Sequence, residues 1–153
     1  SRGSVIPFFL KQRETGVLTV TDPRMTRFWI TLESGVQFVL DAFKRMCGGD
    51  ILVPKLPSMN IMDLAKAIGP DCQIKVVGIR PGEKIHETMI PRDEGRNTRE
   101  FDDCYFIQSP FSSWLHTSDT PLGRAVDEDF EYSSGNNPWQ LSIAELRALV
   151  GLE

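Results

Sequence analysis

The chain has 153 residues, 41% hydrophobic and 25% charged, with a formal net charge of −4. That length suits one domain or a piece of a larger one, and the composition excludes wholesale disorder. The acidic balance argues against a nucleic-acid duplex or an anionic membrane as principal partner, but leaves room for a local basic cluster that binds phosphate.

The opening Ser1-Arg2-Gly3-Ser4 is neither an initiating methionine nor a signal sequence, and the expectation is a chain cut from a longer one. Residues 4–13 predict a short helix, with Ser4 able to cap it, Pro7 early enough to be tolerated and Phe8, Phe9 and Leu10 apolar. Its entry, Gly3-Ser4-Val5-Ile6, would present free backbone N–H groups, a natural seat for phosphate. An ordinary amphipathic helix start fits the same residues. Val17 to Thr21 alternate as a strand does, and Asp22-Pro23 breaks it. Phe28 to Thr31 predict another short extended segment.

Thr31 then caps a predicted helix reaching about Met46, with Val36, Val39, Leu40 and Phe43 on one face. Gly48-Gly49 ends it, and Ile51-Leu52-Val53 reads as a short buried strand. Ser58 is the expected cap of a second helix, with Ile61, Leu64, Ala65 and Ile68 as its stripe and Gly69-Pro70 as its stop. A strand is expected over 74–79. The alternation of strand and helix from 28 to 79 is α/β in character, with too few strands for a complete doubly wound sheet. Ile85 to Met89 predict a helical turn, 91–100 a polar loop and Tyr105 to Ile107 a strand. Residues 109–138 are rich in Ser, Asp, Gly and Pro and predict an irregular loop or arm. A final helix begins at Ser142, where Ser142 and Glu145 form a capping box. The expected division is a lobe over 1–108, the arm over 109–138 and a C-terminal helical piece over 139–153.

Cys47, Cys72 and Cys104 are widely spaced and form no C-x-x-C, so a disulfide framework or zinc site is not expected; reduced cytosolic thiols are. No apolar run approaches the roughly 18–20 residues that span a bilayer. Chemistry concentrates in Gly78-Ile79-Arg80-Pro81-Gly82-Glu83-Lys84, where a Pro-Gly bend aims an arginine and a glutamate. The guanidinium suits phosphate oxygens and the carboxylate suits ribose hydroxyls. A surface pair on a turn fits the same spacing. Arg27, beside Phe28 and Trp29, is a second phosphate candidate or a surface arginine shielding Trp29. Tyr132 to Asn137 offer hydrogen-bonding groups for a loop closing over a sugar, or form a linker. His86 reads as a histidine packed on the core and His116 as solvated. Neither tyrosine has a lysine four residues on, and no G-x-G-x-x-G occurs.

Four stretches in order carry a resemblance: Gly3 to Phe9, Thr21 to Thr31, Gly78 to Glu87 and Phe130 to Ser134. Together they resemble the C-terminal part of the inverting UDP-N-acetylglucosamine 4,6-dehydratases, in the extended short-chain dehydrogenase/reductase superfamily. The likeness covers most of 1–108 and again 127–150, and is weak over 109–126. It implies the C-terminal portion of an extended Rossmann-type fold, an incomplete cofactor sheet plus a substrate-binding lobe. It further implies that the parent is a lyase whose N-terminal half, absent here, carries the glycine-rich loop for NADP and the catalytic Asp, Lys and Tyr. Such an enzyme removes water from the sugar and inverts C5. The resemblance assigns Arg27 and Arg80 to the diphosphate, Glu83 to the ribose, and the turn of Gly3, Ser4, Val5 and Pro7 to the nucleotide side. It brings Tyr132 and Asn136 near the site. It also implies a cytoplasmic homo-oligomer when complete, the missing N-terminal half as partner, and pseudaminic acid synthesis for flagellin glycosylation. An epimerase or retaining-dehydratase fragment, a non-catalytic nucleotide-binding module and an oligomerisation segment stay open. The helix near 33–46 and the strand at 51–53 are expected to complete the missing half's sheet, leaving apolar surface exposed on the isolated chain.

Overall fold

The computed structural model describes residues 4–46, 49–109 and 123–152. Gly3, Cys47, Gly48 and His116 lie outside the described residues. The chain folds as two units that interleave along the sequence, so neither is a continuous stretch such as 1–108.

The first unit comprises Ser1–Trp29, Pro57–Glu87 and Ser134–Glu153. Helix α1, Val5–Arg13, turns at Gly16 (φ +74°) into strand β1, Val17–Val20. The Gln12 side chain holds this junction, donating to Thr19 Oγ1 at 2.8 Å and accepting from Thr19 N at 2.9 Å. Strand β2 is Thr26–Phe28. It starts two residues before the expected segment because it pairs antiparallel with β4, Ser58–Asn60, from Thr26 opposite Asn60 to Phe28 opposite Ser58. That pairing also moves a cap. Ser58 is a buried strand residue whose Oγ accepts from Asn137 Nδ2 at 2.8 Å, so the expected Ser58 cap is corrected to Asn60. Asn60 Oδ1 accepts from Met62 N at 2.8 Å and starts α3, Ile61–Ile68.

The predicted α3 stripe is the heart of this unit. Leu64, Ala65 and Ile68 are fully buried, against Phe9 of α1, Leu18 and Val20 of β1, and Leu146 of α4 (Ile143–Val150). Gly69 ends α3, and β5, Gln73–Val76, then runs parallel to β1 in the register Val17–Gln73 to Val20–Val76. The Ser142–Glu145 capping box of α4 is present, and Gly151 (φ +76°) closes the helix in the left-handed conformation. At α1, Ser4 occupies the cap position without a side-chain hydrogen bond.

The second unit comprises Ile30–Leu56 and Thr88–Ser133. Its sheet has the order β3-β8-β7-β9, all antiparallel, from Ile51–Pro54, Cys104–Ile107, Thr98–Glu100 and Arg124–Ala125. The expected helical turn at 85–89 is absent; β6, Thr88–Ile90, pairs instead with β10, Tyr132–Ser133. The expected loop at 91–100 contains a 3₁₀ helix, Arg92–Asn97, followed by β7. The described part of the expected arm is anchored too. Tyr132 is buried between a ring contact to Tyr105 (5.0 Å) and both backbone groups of Leu56, whose N–H donates to its hydroxyl (2.8 Å) and whose C=O accepts from it (3.0 Å). Burial pushes the Cys104 thiol up to about 11.

Helix α2, Leu32–Arg45, is capped by Thr31, whose Oγ1 accepts from Ser34 N. Its apolar face is real but unpacked. No α2 residue is buried, and Leu32 (86% exposed), Val36, Val39, Leu40 and Phe43 (75%) lie open. The helix is tethered at its end by Arg45, which bonds Asp103 at 2.6 Å and lies over the Phe101 and Phe106 rings. Such a surface adds nothing to folding until something covers it.

The two apolar stripes therefore respond differently to substitution. Leu64→Ala should destabilise the chain by about 2–5 kcal/mol, whereas Phe43→Gln should stay within about 0.5 kcal/mol. Urea unfolding monitored by circular dichroism measures both; a comparable loss for Phe43→Gln would mean that α2 is packed in solution.

Candidate functional site

The first unit holds a cleft of about 610 Å³, in the size range of small-molecule sites. The start and one face of α1 (Ser4, Val5, Pro7, Phe8, Lys11) form one wall. The end of β1 to Thr21 and the side chains of Met25 and Ile61 form the base, and Arg27, Arg80 and Glu83 complete the lining.

The Arg80–Glu83 bend has the form of a type II turn: Pro81 precedes Gly82 at φ +84°, and Glu83 N donates to Arg80 O at 3.1 Å. A positive φ at the third position favours glycine. Glu83 reinforces the turn, its Oε2 accepting from Arg80 N at 3.1 Å. The Arg80 guanidinium is exposed and has no protein partner among the described residues, so its charge is available at the cleft.

Arg27 is placed differently. Its Nη1 donates to Thr26 O (2.6 Å) and Ile85 O (3.0 Å), and its Nη2 to Lys84 O (2.9 Å) and Met25 Sδ (3.7 Å). Its Nε lies 3.8 Å from Glu87 Oε1. The guanidinium thus lines the cleft while fastening the 84–87 strap from beneath. Thr26 N adds a bond to Ile85 O at 3.0 Å, and Glu87 Oε2 accepts from Phe28 N at 2.9 Å.

A small polar network locks the same strap. Thr26 Oγ1 lies 2.8 Å from His86 Nδ1 and 2.7 Å from Ser134 Oγ, which in turn accepts from Glu87 N at 2.9 Å. Gly135 lies so close beneath the His86 ring that a Cβ there would come within 2.7 Å of it. On the far side of β1, the loop to β2 is pinned by Asp22. Its carboxylate accepts from Arg24 N, Nε and Nη2 at 2.8–3.0 Å, and these bonds hold its pKa at about 2, below the ordinary 3.8.

Of the sequence-predicted site residues, the structure gathers Ser4, Val5, Pro7, Arg27, Arg80 and Glu83 around this cleft. Tyr132 is buried in the second unit, with its hydroxyl bonded to both backbone groups of Leu56, and is not among the residues that line this cleft. Asn136 lies exposed in the turn after Ser134 and does not line the cleft, and Gly3 is outside the described residues. Sequence reading missed Lys11, Thr21 and the anchoring role of Thr26 and Ser134. The signal for Lys11 was its spacing, one helical turn beyond Pro7 on the same face of α1. Among the described residues, no cluster of His, Cys, Asp and Glu is arranged to hold a metal ion, and no helix is long and apolar enough to cross a membrane.

The α/β class, an incomplete sheet of Rossmann type joined to a second lobe, agrees with a solved structure. The X-ray structure of Pen from Bacillus thuringiensis superposes with a TM-score of 0.79 and 32% identity, over 98% of this chain and 44% of that one. A family described as "Polysaccharide biosynthesis protein" matches residues 1–109, and the chain belongs to that family. Among curated proteins it is 47% identical to the UDP-N-acetylglucosamine 4,6-dehydratase (inverting) of Campylobacter jejuni, over 98% of the chain and 47% of that enzyme. It is 42% identical to a UDP-glucose 4-epimerase of Rickettsia conorii, over 98% of the chain and 46% of that protein. The chain spans about half the length of the curated relatives it matches.

Two outcomes test this geometry. Gly135→Ala should cost about 1–3 kcal/mol by forcing the His86 ring away, read as a lowered urea midpoint. The native state favours ionised Asp22, so its contribution is full above the ordinary carboxylate range and is lost as pH falls through about 2. Carbon-detected NMR of the Asp22 carboxyl should give a midpoint near 2; a midpoint at the ordinary 3.8 would mean the Arg24 clamp does not form.

Proposed function

We propose that this chain is the UDP-sugar-binding portion of a UDP-N-acetylglucosamine 4,6-dehydratase of the inverting type, and that the cleft beside α1 holds the nucleotide diphosphate. The observation that carries this is the Arg80 guanidinium, without a partner among the described residues and held by the Pro81-Gly82 turn at a cleft that also contains the start of α1. A sugar-linked diphosphate carries about two negative charges. Arg80 answers them with a planar fork, the first N–H groups of α1 add backbone donors, and Arg27 adds positive field at the margin. Glu83 accepts from ribose hydroxyls through Oε1, its other oxygen being used in the turn. Val5 and Pro7 flank the nucleoside, beside Ser4 at the start of α1.

The names of the Campylobacter and Rickettsia relatives share a UDP-sugar and differ in the chemistry done on it. A cleft built for the nucleotide handle serves either reaction, which supports the binding reading ahead of any choice between them. The inverting dehydratase is favoured by the higher identity.

The residues present do not fit NADP. Among the described strand-to-helix junctions, β4 passes to α3 through Asn60 with no glycine-rich turn, and the chain has neither G-x-G-x-x-G nor a tyrosine followed four residues on by lysine. Cofactor binding and the acid–base groups belong to polypeptide beyond this chain, and α2 offers that polypeptide an apolar face. Binding energy from the diphosphate then orients the sugar for chemistry done elsewhere. The complete enzyme is a cytoplasmic homo-oligomer feeding pseudaminic acid synthesis.

Calorimetry of UDP with the 153-residue chain tests this. Binding is expected, with Arg80→Ala weakening it about tenfold or more, or roughly 1.4 kcal/mol. The chain alone should not turn over UDP-N-acetylglucosamine. UDP affinity unchanged in Arg80→Ala would refute the site.

A further inference from the structure

We infer that the Thr26 and Ser134 hydroxyls form a two-way relay behind His86, aimed at its Nδ1 when the imidazole is neutral and turned away from it when the imidazole is charged. The 84–87 strap thereby stays anchored in both states of the ring. The relay does not depend on what the cleft binds.

Three contacts join these groups in line: His86 Nδ1 to Thr26 Oγ1 at 2.8 Å, Thr26 Oγ1 to Ser134 Oγ at 2.7 Å, and Ser134 Oγ to Thr26 O at 3.1 Å. Each hydroxyl has one proton to give, and a carbonyl only accepts. Glu87 N donates to Ser134 Oγ at 2.9 Å in either case. A neutral imidazole whose proton sits on Nε2 accepts at Nδ1. Thr26 then donates to His86 and Ser134 to Thr26 Oγ1, so one direction runs from Glu87 N to the ring. The 3.1 Å contact goes unused, without orphaning Thr26 O, which Arg27 Nη1 already serves at 2.6 Å.

A charged imidazole carries a proton on both nitrogens and has to donate. Thr26 then turns its proton to Ser134 Oγ, and Ser134 turns its own to Thr26 O. No heavy atom moves, because the last acceptor is already in reach and a carbonyl oxygen has two lone pairs. Thr26 and Ser134 are buried (8% and 0% exposed), so a hydroxyl left without an acceptor here carries the cost of an unmet donor. His86 is exposed and exchanges protons with solvent, while the Gly135 backbone lies close against one face of its ring. The charged groups of the elements around it are Lys84 and Glu87 on the strap and Arg27 on β2; the turn at 134–137 brings none. Arg27 and Glu87 face each other at 3.8 Å, and among the described residues none of the three makes a hydrogen bond or ion pair with the ring. Thr26 and Ser134 are therefore the groups that answer a change of charge on His86.

The test compares urea midpoints at about pH 8 and about pH 5.5, a span over which histidine titrates and carboxylates stay ionised. The proteins are the 153-residue chain, Ser134→Ala, and Ser134→Ala combined with His86→Asn. Ser134→Ala removes the acceptor to which Thr26 turns in the charged state, so its folding constant should fall about tenfold further at the lower pH than at the higher. Adding His86→Asn, which has no charge to gain, should abolish that extra loss. Nitrogen-15 shifts of a His116→Gln chain, in which His86 is the single imidazole, should show Nδ1 bare at the higher pH and protonated at the lower. An equal loss at both pH values in Ser134→Ala, or an Nδ1 that keeps one state across the span, overturns the relay. Should Ser134→Ala not fold, Ser134→Cys, which keeps the shape and accepts weakly, is read in the same way.

Discussion

The grip of one guanidinium on two neighbouring carbonyls, Lys84 O and Ile85 O, organises this unit. Residues 77–87 have no helix and no strand of their own, and the local hydrogen bonds described within them are those of the Arg80–Glu83 turn. Arg27, projecting from the short β2 strand, supplies further fixation, and the Thr26–His86–Ser134 network repeats it one residue further on. A charged donor on a carbonyl is among the stronger hydrogen bonds available. Several of them on one side chain turn an exposed loop into a defined ledge, at whose tip the Pro81-Gly82 turn presents Arg80.

Placing a cation on such a ledge has a functional logic. An arginine on a mobile loop loses entropy on every binding event, whereas one carried by a pre-set turn has made most of that sacrifice during folding. The opposing wall is α1, rigid through Phe9 in the core and through the Gln12–Thr19 bonds to β1. The second unit shows the contrary arrangement at α2, where a long apolar face is displayed between the Thr31 cap and the Arg45 tether. The described cleft is thus lined by well-anchored elements of the first unit, while the apolar face of α2 lies open.

Much of this was readable in the residues. Periodicity located α2 and α3, because Val36-Val39-Leu40-Phe43 and Ile61-Leu64-Ala65-Ile68 each recur at helical spacing, and Ser142 with Glu145 announced α4. Periodicity could not say that the first stripe faces solvent and the second the core, since burial depends on what lies opposite. The Ser58 cap failed for a similar reason: serine before an apolar run is a cap signal, yet pairing with β2 drew Ser58 into a strand and left Asn60 to cap. The turn at Arg80–Glu83 was plain from Pro-Gly. The true occupation of Arg27 was hidden, because its partners Lys84 and Ile85 lie 57 and 58 residues away. The partner of the Tyr132 hydroxyl was hidden for the same reason, Leu56 lying 76 residues upstream.

The most direct test is a crystal structure of the chain grown with UDP. The account predicts the diphosphate in the α1 cleft, within about 3 Å of the Arg80 guanidinium, with Arg27 still bonded to the carbonyls of Lys84 and Ile85. A nucleotide bound elsewhere on the surface, or in that cleft with Arg80 turned away to solvent, would contradict it.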